Sequence, residues 1–189
     1  MAAVQAGATA IGMIFYAESP RFTRLDQAAM VCAVVPASVL KVGVFVNESP
    51  ERIREIAAAV RLDVIQLHGD EPASAIDELE GLRVWKALPV GDNFDPTCMD
   101  AYNCEAFLLD TKAENYGGSG ESFPWQRAVP AKQYGKIILA GGLGADNVAE
   151  AIETVDPWGV DASSRLELSP GRKDPDKVAA YVAAARGEN

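Results

Sequence analysis

Residue types that build disulfide frameworks and zinc sites are scarce in this chain of 189 residues. It has three cysteines, Cys32, Cys98 and Cys104, and a single histidine, His68. Three irregularly spaced thiols cannot form a disulfide framework, and together with one histidine they match no spacing of zinc ligands. We therefore expect no metal site, and free thiols in a reducing cytoplasm.

Long apolar runs and positive charge are scarce as well. The longest apolar run, residues 10–17, is far shorter than the roughly 20 residues of a membrane helix, and no basic segment precedes it as in a signal peptide. The chain has 17 Lys and Arg residues against 27 Asp and Glu, a formal net charge of −10. This acidity argues against nucleic acid and against an anionic membrane as partners. We expect a soluble, cytoplasmic protein that holds any anionic ligand through local donors.

The chain does contain a repeated alternation of short apolar runs with amphipathic helical patterns. At 189 residues and 49% hydrophobic content it is long enough for one globular domain spanning residues 1–189. The apolar runs predict seven strands, at residues 8–15, 41–46, 64–67, 84–88, 106–109, 137–140 and 159–161. Strands that alternate with helices favour a parallel sheet, and we predict an α/β fold of the (β/α)8 TIM-barrel type. A doubly wound open sheet is the alternative, but no loop carries the G-x-G-x-x-G fingerprint.

Seven strands are one fewer than a closed barrel of this type contains. The sequence opens with a helical pattern, residues 1–6, which Gly7 ends. We therefore expect that the first β-strand of the barrel is missing and that the domain is N-terminally truncated.

Two loops in the last third of the chain have the features of a phosphate site. Gly141 and Gly142 follow the sixth predicted strand and precede a helical pattern, so glycine amides and free helix N–H groups can point at one anion. The loop after the seventh strand adds Ser163, Ser164 and Arg165. Paired loops of this kind bind phosphate in many (β/α)8 barrels, although a Gly-Gly pair alone also fits an ordinary turn.

Several longer segments resemble one known family. These segments are AGATAIGMIFYAESPRF, KVGVFVN, DVIQLHGDE, LLDTK, YGGSGESFPW, ILAGGL, GVDASS and SPGRKDP. In form and order they resemble the phosphoribosylanthranilate isomerase family of tryptophan biosynthesis, essentially from end to end. Other phosphosugar barrels, such as an epimerase or the tryptophan synthase α-subunit, share the phosphate loops but fit LLDTK and QLHGDE less well.

The resemblance implies an intramolecular aldose–ketose isomerase. The reaction is the Amadori rearrangement of N-(5′-phosphoribosyl)anthranilate to 1-(2-carboxyphenylamino)-1-deoxyribulose 5-phosphate, with no metal or organic cofactor. The implied partner is a small-molecule phosphoribosyl substrate, and the implied assembly is a monomer or a homodimer.

The resemblance also assigns roles to individual residues. Asp110, at a strand end, matches the general acid, and Arg21 matches an arginine that meets the anthranilate carboxylate. His68 matches a histidine near the same part of the site. The positions that match the phosphate loops are Gly141, Gly142, Ser163 and Ser164. Each assignment has a structural alternative: a turn cap for Asp110, a solvated charge for Arg21 and a structural hydrogen bond for His68. Lys86 and Lys112 fit solvated lysines.

The sequence departs from the family in two places. The family's general base is a cysteine in a K-I-C-G-type motif on the first strand, and none of the three cysteines occupies such a motif. An alternative function is therefore a catalytically inactive phosphosugar-binding barrel. At Arg165 we expect glycine, so the arginine is either a backbone cost or an added charge for phosphate. The glycine-rich segment 111–124 is predicted to be a functional lid.

Overall fold

Seven parallel strands form the centre of the protein. The computed structural model describes residues 1–112 and 122–188. Its main sheet contains β1 (Ala10–Ile14), β2 (Leu40–Phe45), β3 (Val64–Leu67), β4 (Val84–Val90), β5 (Ala106–Thr111), β6 (Lys136–Leu139) and β7 (Gly159–Val160). Each strand pairs in parallel with the next along the chain, in the order β1 to β7. This confirms the predicted barrel-type succession of βα units.

Helical segments follow the strands. The α-helices are α1 (Ala2–Gln5), α2 (Leu25–Val34), α3 (Pro50–Val60), α4 (Ser74–Asp77), α5 (Val148–Val155) and α6 (Pro175–Arg186). Three 3-10 helices, Pro96–Ala101, Trp125–Tyr134 and Ser164–Leu166, and a hairpin of β8 (Glu167–Ser169) with β9 (Arg172–Lys173) complete the described chain. None of the described helices has the length and apolar character required to cross a bilayer.

Local sequence determines where the better-defined helices begin. The Ser49 side chain accepts a hydrogen bond from the Arg52 amide, and Pro50 occupies the first position of α3. Asp174 caps α6 in the same way, ahead of Pro175. The predicted buried stripe of α3 is confirmed, at Ile53, Ile56, Ala57 and Val60.

The pattern misplaced the buried face of α2 and missed one helix. Of the predicted stripe at positions 25, 28, 29 and 32, only Ala28 is buried. Since α2 is apolar on nearly all sides, its sequence does not distinguish an inner face. The segment Trp125–Tyr134, with Pro130 inside it, is 3-10 helical where the pattern predicted no helix. Most of the predicted lid, residues 113–121, lies outside the described residues.

Side chains alternate between the two faces of the sheet. The inward faces of the strands form one apolar cluster, made of Val42, Val64, Trp85, Ala87, Ala106, Leu108, Ile138 and Ala140. The outward faces form two larger clusters with the helices. Continuing the inward alternation past these apolar residues leads to His68, Asp110 and Asp161. At the carboxyl ends of three strands, polar side chains thus point into the interior of the curled sheet, called the ring below.

The two edge strands, β1 and β7, border an opening in the sheet. Among the described residues no strand pairing joins β1 with β7. Contacts bridge the opening at both ends: Arg186 Nη2 donates to the Gly7 carbonyl over 2.7 Å, and Arg21 Nη2 lies 3.0 Å from Glu167 Oε2. The helical layer is continuous here, because α1 packs against α6.

The opening predicts a difference in hydrogen exchange between two adjacent amides. The Phe15 amide donates to the Val44 carbonyl over 2.8 Å, and alternate amides of a parallel strand point to the same side. The Met13 amide therefore faces β2, whereas the Gly12 amide faces the opening. We expect Gly12 to exchange faster by a factor on the order of 10² or more. Amide exchange followed by NMR measures this, and equal protection of both amides would show that another strand pairs with β1.

Candidate active site

Asp110 lies at the carboxyl end of β5, inside the ring. Its Oδ2 is 3.4 Å from Nε2 of His68, and both side chains are 16% exposed. Its Oδ1 accepts a hydrogen bond from the Thr111 amide over 2.7 Å. The carboxyl group is therefore oriented by two contacts while solvent, or a ligand, can still reach it.

Gln66 orients His68. The Gln66 amide nitrogen lies 2.8 Å from His68 Nδ1. With the amide as donor, Nδ1 accepts, and a neutral ring carries its hydrogen on Nε2, which faces Asp110. Sequence reasoning missed Gln66, although it lies two residues before His68 and therefore on the same face of β3.

A buried ion pair fixes the turn that follows His68. Lys86 is 1% exposed, and its Nζ donates to the Gly69 carbonyl over 2.6 Å and to Glu71 Oε2 over 2.8 Å. Glu71 in turn accepts from the amides of Asn47, over 2.8 Å, and Gly69, over 3.0 Å. The prediction of a solvated Lys86 is wrong, because this side chain points from β4 to the helical layer and pairs with Glu71 there.

Asp161 is a second carboxylate at this end of the ring, and sequence reasoning did not single it out. It follows β7 at the border of the opening, where solvent reaches it, although protein atoms surround most of it. Desolvation, and then the nearby Asp110, raise its pKa, while Lys173 and His68 act in the opposite direction. Asp110 and Asp161 therefore lie close enough for their charges to interact.

The Gly141-Gly142 turn lies directly against Asp110. Gly141 and Gly142 have φ angles of +85° and +60°, a conformation that favours glycine. A Cβ atom at Gly141 would lie 2.3 Å from Thr111 Oγ1 and 3.1 Å from Asp110 Oδ1. No described residue accepts a hydrogen bond from the amides of Gly141, Gly142 or Leu143. The turn thus places unpaired donors beside the candidate acid.

The second loop approaches the first through Arg165. Its Nη1 donates to the Gly142 carbonyl over 3.0 Å, and its Nη2 donates to Asp146 Oδ2 over 2.8 Å. The hydrogen bond from Arg165 is the main reason that the pKa of Asp146 is lowered. The backbone of Arg165 is outside the left-handed region, so the expected cost of replacing glycine does not arise. Arg165 ties the two loops together.

Glu167 and Lys173 together connect the Ser163 loop with Arg21. Lys173 Nζ donates to the Ser163 carbonyl over 2.9 Å and lies 3.0 Å from Glu167 Oε1. The same carboxylate accepts from Arg21 Nε at 3.0 and 3.1 Å. Arg21 is therefore paired within the protein, which a solvated arginine is not. Neither Glu167 nor Lys173 was a candidate from sequence, since pairing between segments 146 residues apart leaves no local pattern.

The three thiols lie on other elements. Cys32 is on α2, Cys98 is in the 3-10 helix Pro96–Ala101, and Cys104 precedes β5. All three are free. Desolvation raises their pKa values, that of Cys104 to about 11, so they are poor thiolates at neutral pH. Within residues 1–112 and 122–188, no cluster of three or more His, Cys, Asp and Glu side chains is arranged to hold a metal ion.

Comparison with known proteins identifies one family. The family model described as N-(5'phosphoribosyl)anthranilate (PRA) isomerase matches residues 1–184. The N-(5'-phosphoribosyl)anthranilate isomerase of Solibacter usitatus is 49% identical over 98% of this chain and 90% of its own length. That of Geobacter sulfurreducens is 45% identical, over 99% and 92%. The chain thus spans about nine-tenths of these relatives.

Solved structures show the same relationship. Phosphoribosyl anthranilate isomerase from Thermotoga maritima superposes with a TM-score of 0.92 at 38% identity, over 98% of this chain and 92% of that one. A phosphoribosyl anthranilate isomerase in complex with reduced 1-(o-carboxyphenylamino)-1-deoxyribulose 5-phosphate superposes with a TM-score of 0.88 at 35% identity, over 98% and 91%.

The buried pair gives a prediction about stability. Removing one partner leaves an uncompensated buried charge, so we expect Lys86→Met to lower the free energy of unfolding by about 3–5 kcal/mol. The double variant Lys86→Met/Glu71→Gln should recover part of this loss, because the unpaired carboxylate is then absent. Denaturant unfolding measures both variants, and a Lys86→Met variant within about 1 kcal/mol of wild type would contradict a buried ionic pair.

The raised pKa of Asp161 gives a prediction about pH. A carboxylate whose pKa is higher in the folded state costs stability above that pKa, and costs nothing below its unfolded value of about 3.9. We expect Asp161→Asn to raise the melting temperature at pH 8, with a gain that disappears as the pH falls towards about 4.

Asp95→Asn is the matched control for the pH experiment. The amide of Thr97 lowers the pKa of this exposed carboxyl, so its removal should bring no gain at pH 8. A gain from Asp161→Asn that is equal at both pH values would contradict the account of Asp161.

Proposed function

The chain belongs to the N-(5'-phosphoribosyl)anthranilate isomerase family, and we propose that it binds phosphoribosylanthranilate at the carboxyl ends of its strands with Asp110 as the general acid. The observation that carries this proposal is the contact of the Gly141-Gly142 turn with Asp110 beside His68. The same edge of the sheet thus combines unpaired amide donors with a carboxyl group that can exchange a proton. A reaction on a phosphorylated sugar requires both.

The reaction explains what Asp110 has to do. Protonation of the ribose ring oxygen opens the ring and gives an iminium ion. Removal of the C2′ proton then gives an enolamine, which becomes the ketone. Asp110 donates the first proton, and its contacts with Thr111 and His68 hold it in one orientation.

The two ends of the substrate meet different donors. The phosphate is bound by the amides of Gly141 and Gly142 and by the loop of Ser163 and Ser164, in the manner of paired strand-end loops in (β/α)8 barrels. The anthranilate carboxylate pairs with Arg21, because a guanidinium can hold a carboxylate with two hydrogen bonds. These local donors outweigh the net charge of −10, because salt largely screens the exposed charges that lie more than about 8–10 Å from a bound anion.

The two candidate functions, isomerase and inactive binding protein, differ in whether a general base is present. The resemblance places that base on a cysteine in a K-I-C-G-type motif, and the three thiols of this chain lie elsewhere with raised pKa values. A member of the family without such a base would bind the phosphosugar without isomerising it. This observation favours the inactive phosphosugar-binding barrel as the second candidate. A first strand carrying the cysteine would restore the isomerase.

Cytoplasmic localisation and the oligomeric state also belong to the proposal. The free cysteines fit the reducing compartment that the sequence predicts. One matched neighbour is described as generated monomers of the dimeric isomerase from Thermotoga maritima. A monomer or a homodimer remains the prediction for this chain.

Binding and turnover should separate in the present chain. We expect calorimetric titration with the reduced, non-reacting product to show binding, because each charge-assisted hydrogen bond to phosphate contributes about 1.5–3 kcal/mol. Turnover, followed by the loss of substrate fluorescence, should stay near background. Full turnover would show that another residue acts as base, and absence of binding would contradict the proposed site.

The role of Asp110 is tested in a chain extended by a strand with the K-I-C-G-type motif. There, Asp110→Asn should lower kcat by a factor on the order of 10² to 10⁴, since a general acid contributes to proton transfer. Affinity for the reduced product should change little. Glu105→Gln, which precedes β5 at the end of the strand opposite Asp110, is the control. Wild-type kcat in Asp110→Asn would remove Asp110 from the mechanism.

A further inference from the structure

Glu167 is a buried carboxylate that the proposed chemistry does not use. Its side chain is 4% exposed, and it accepts from Arg21 Nε at 3.0 and 3.1 Å, from Lys173 Nζ at 3.0 Å and from the Gly171 amide at 3.2 Å. Burial alone would raise its pKa, but Arg21 and Lys173 outweigh burial and lower it. Glu167 is thus a charged group held by donors from Arg21, Lys173 and Gly171.

The geometry of this pair leaves one edge of Arg21 available. Glu167 engages Nε and Nη2, which is the side of the guanidinium. A guanidinium has five N–H groups, and its end, formed by Nη1 and the second N–H of Nη2, can hold another carboxylate with two hydrogen bonds. No described residue is hydrogen-bonded to Nη1 of Arg21. The contact with Glu167 fixes the plane of the guanidinium and therefore the direction in which its free end points.

Glu167 also contacts the phosphate end of the site. Lys173, which pairs with Glu167, donates to the Ser163 carbonyl over 2.9 Å and to Ser163 Oγ over 3.3 Å. One carboxylate therefore holds the cation expected at the anthranilate end and the cation that fixes a phosphate loop. The two segments it joins follow β1 and β7, the edge strands of the sheet.

We propose that Glu167 is a positioning residue, which orients Arg21 so that the free end of the guanidinium binds the carboxylate of the anthranilate ring. This inference rests on the proposed function, because it assumes that the ligand carries a carboxylate next to Arg21. It predicts that Glu167 affects affinity through Arg21 and not through general stability.

The sign of the effect separates positioning from simple electrostatics. Removing a negative charge near an anionic ligand strengthens binding if the charge acts only through space. If Glu167 instead orients Arg21, its neutral isostere weakens binding, because the guanidinium is then free to adopt other orientations and its ordering entropy must be lost on binding.

Glu105 is a matched control at the opposite end of the strands. It makes the same kind of contacts, to Arg83 Nε at 2.8 Å, to Arg83 Nη2 at 2.9 Å and to a lysine, Lys136, at 3.6 Å. It precedes β5, whereas the candidate site lies at the carboxyl end of that strand. Glu105→Gln therefore reproduces the loss of an Arg-Lys-paired carboxylate without touching the site.

The experiment is calorimetric titration of the full chain with the reduced product and, separately, with inorganic phosphate. We expect Glu167→Gln to weaken binding of the reduced product about tenfold, the loss of roughly one charge-assisted hydrogen bond. Binding of inorganic phosphate should not weaken, because Lys173 keeps its own hydrogen bonds to Ser163. Glu105→Gln should match wild type with both ligands. In an Arg21→Ala background, Glu167→Gln should cause no further loss, because the two residues act as one unit.

Three outcomes would overturn the inference: unchanged or tighter binding of the reduced product by Glu167→Gln, an equal loss in Glu105→Gln, or a full additional loss on top of Arg21→Ala. If wild type does not bind the reduced product at all, the proposed function fails first and the inference fails with it.

Arg21→Lys supplies a second test should Glu167→Gln not fold. It keeps the ion pair but cannot present a second fork, so it should also lose about tenfold in affinity, and wild-type affinity there would overturn the inference.

Discussion

The constraint on which the rest of this structure depends is the opening between β1 and β7. A ring of parallel strands normally satisfies its backbone groups by closing on itself, and here the seven strands of the described residues leave two edges. The protein bridges these edges with side chains instead. Arg21 and Glu167 pair at the carboxyl ends of the strands, and Arg186 holds the Gly7 carbonyl at the amino ends. The same opening explains why solvent reaches Asp161 although it lies inside the ring.

The candidate site follows from two rules of strand geometry. Parallel strands end at one edge, and every second side chain points inward. Together these rules bring His68, Asp110 and Asp161 from three separate strands to one place. Although the chain is strongly acidic, hydrogen-bond donors for an anionic ligand are present at the site itself. They are the glycine amides, Arg21, Lys173 and Arg165. Buried carboxylates such as Glu71 and Glu167 act as fixed acceptors that hold the surrounding loops and cations, and they are themselves fully paired.

The alternation of strands and helices, the caps at Ser49 and Asp174 and the placement of Asp110 at a strand end were all predictable, because each depends on neighbours in sequence. The inner face of α2 and the 3-10 helix Trp125–Tyr134 were not, since a uniformly apolar helix and a proline-containing segment have no distinctive period. The contacts of Lys86 and Glu167 were also beyond sequence reasoning. Each depends on a partner 15 residues or more away, and an isolated lysine or glutamate has the same local pattern whether it is buried or solvated. The function itself came from family resemblance over the whole chain, which periodicity alone does not supply.

In the proposed complex one ligand spans the site, with its phosphate on the glycine and serine loops and its carboxylate on Arg21. A crystal structure of this chain with the reduced product bound tests that claim most directly. We predict phosphate oxygens within about 3 Å of the amides of the Gly142 and Ser164 loops, and the ring carboxylate paired with the end of the Arg21 guanidinium that Glu167 leaves free. A phosphate bound elsewhere, or an Arg21 that turns away from the ligand carboxylate, would contradict the account.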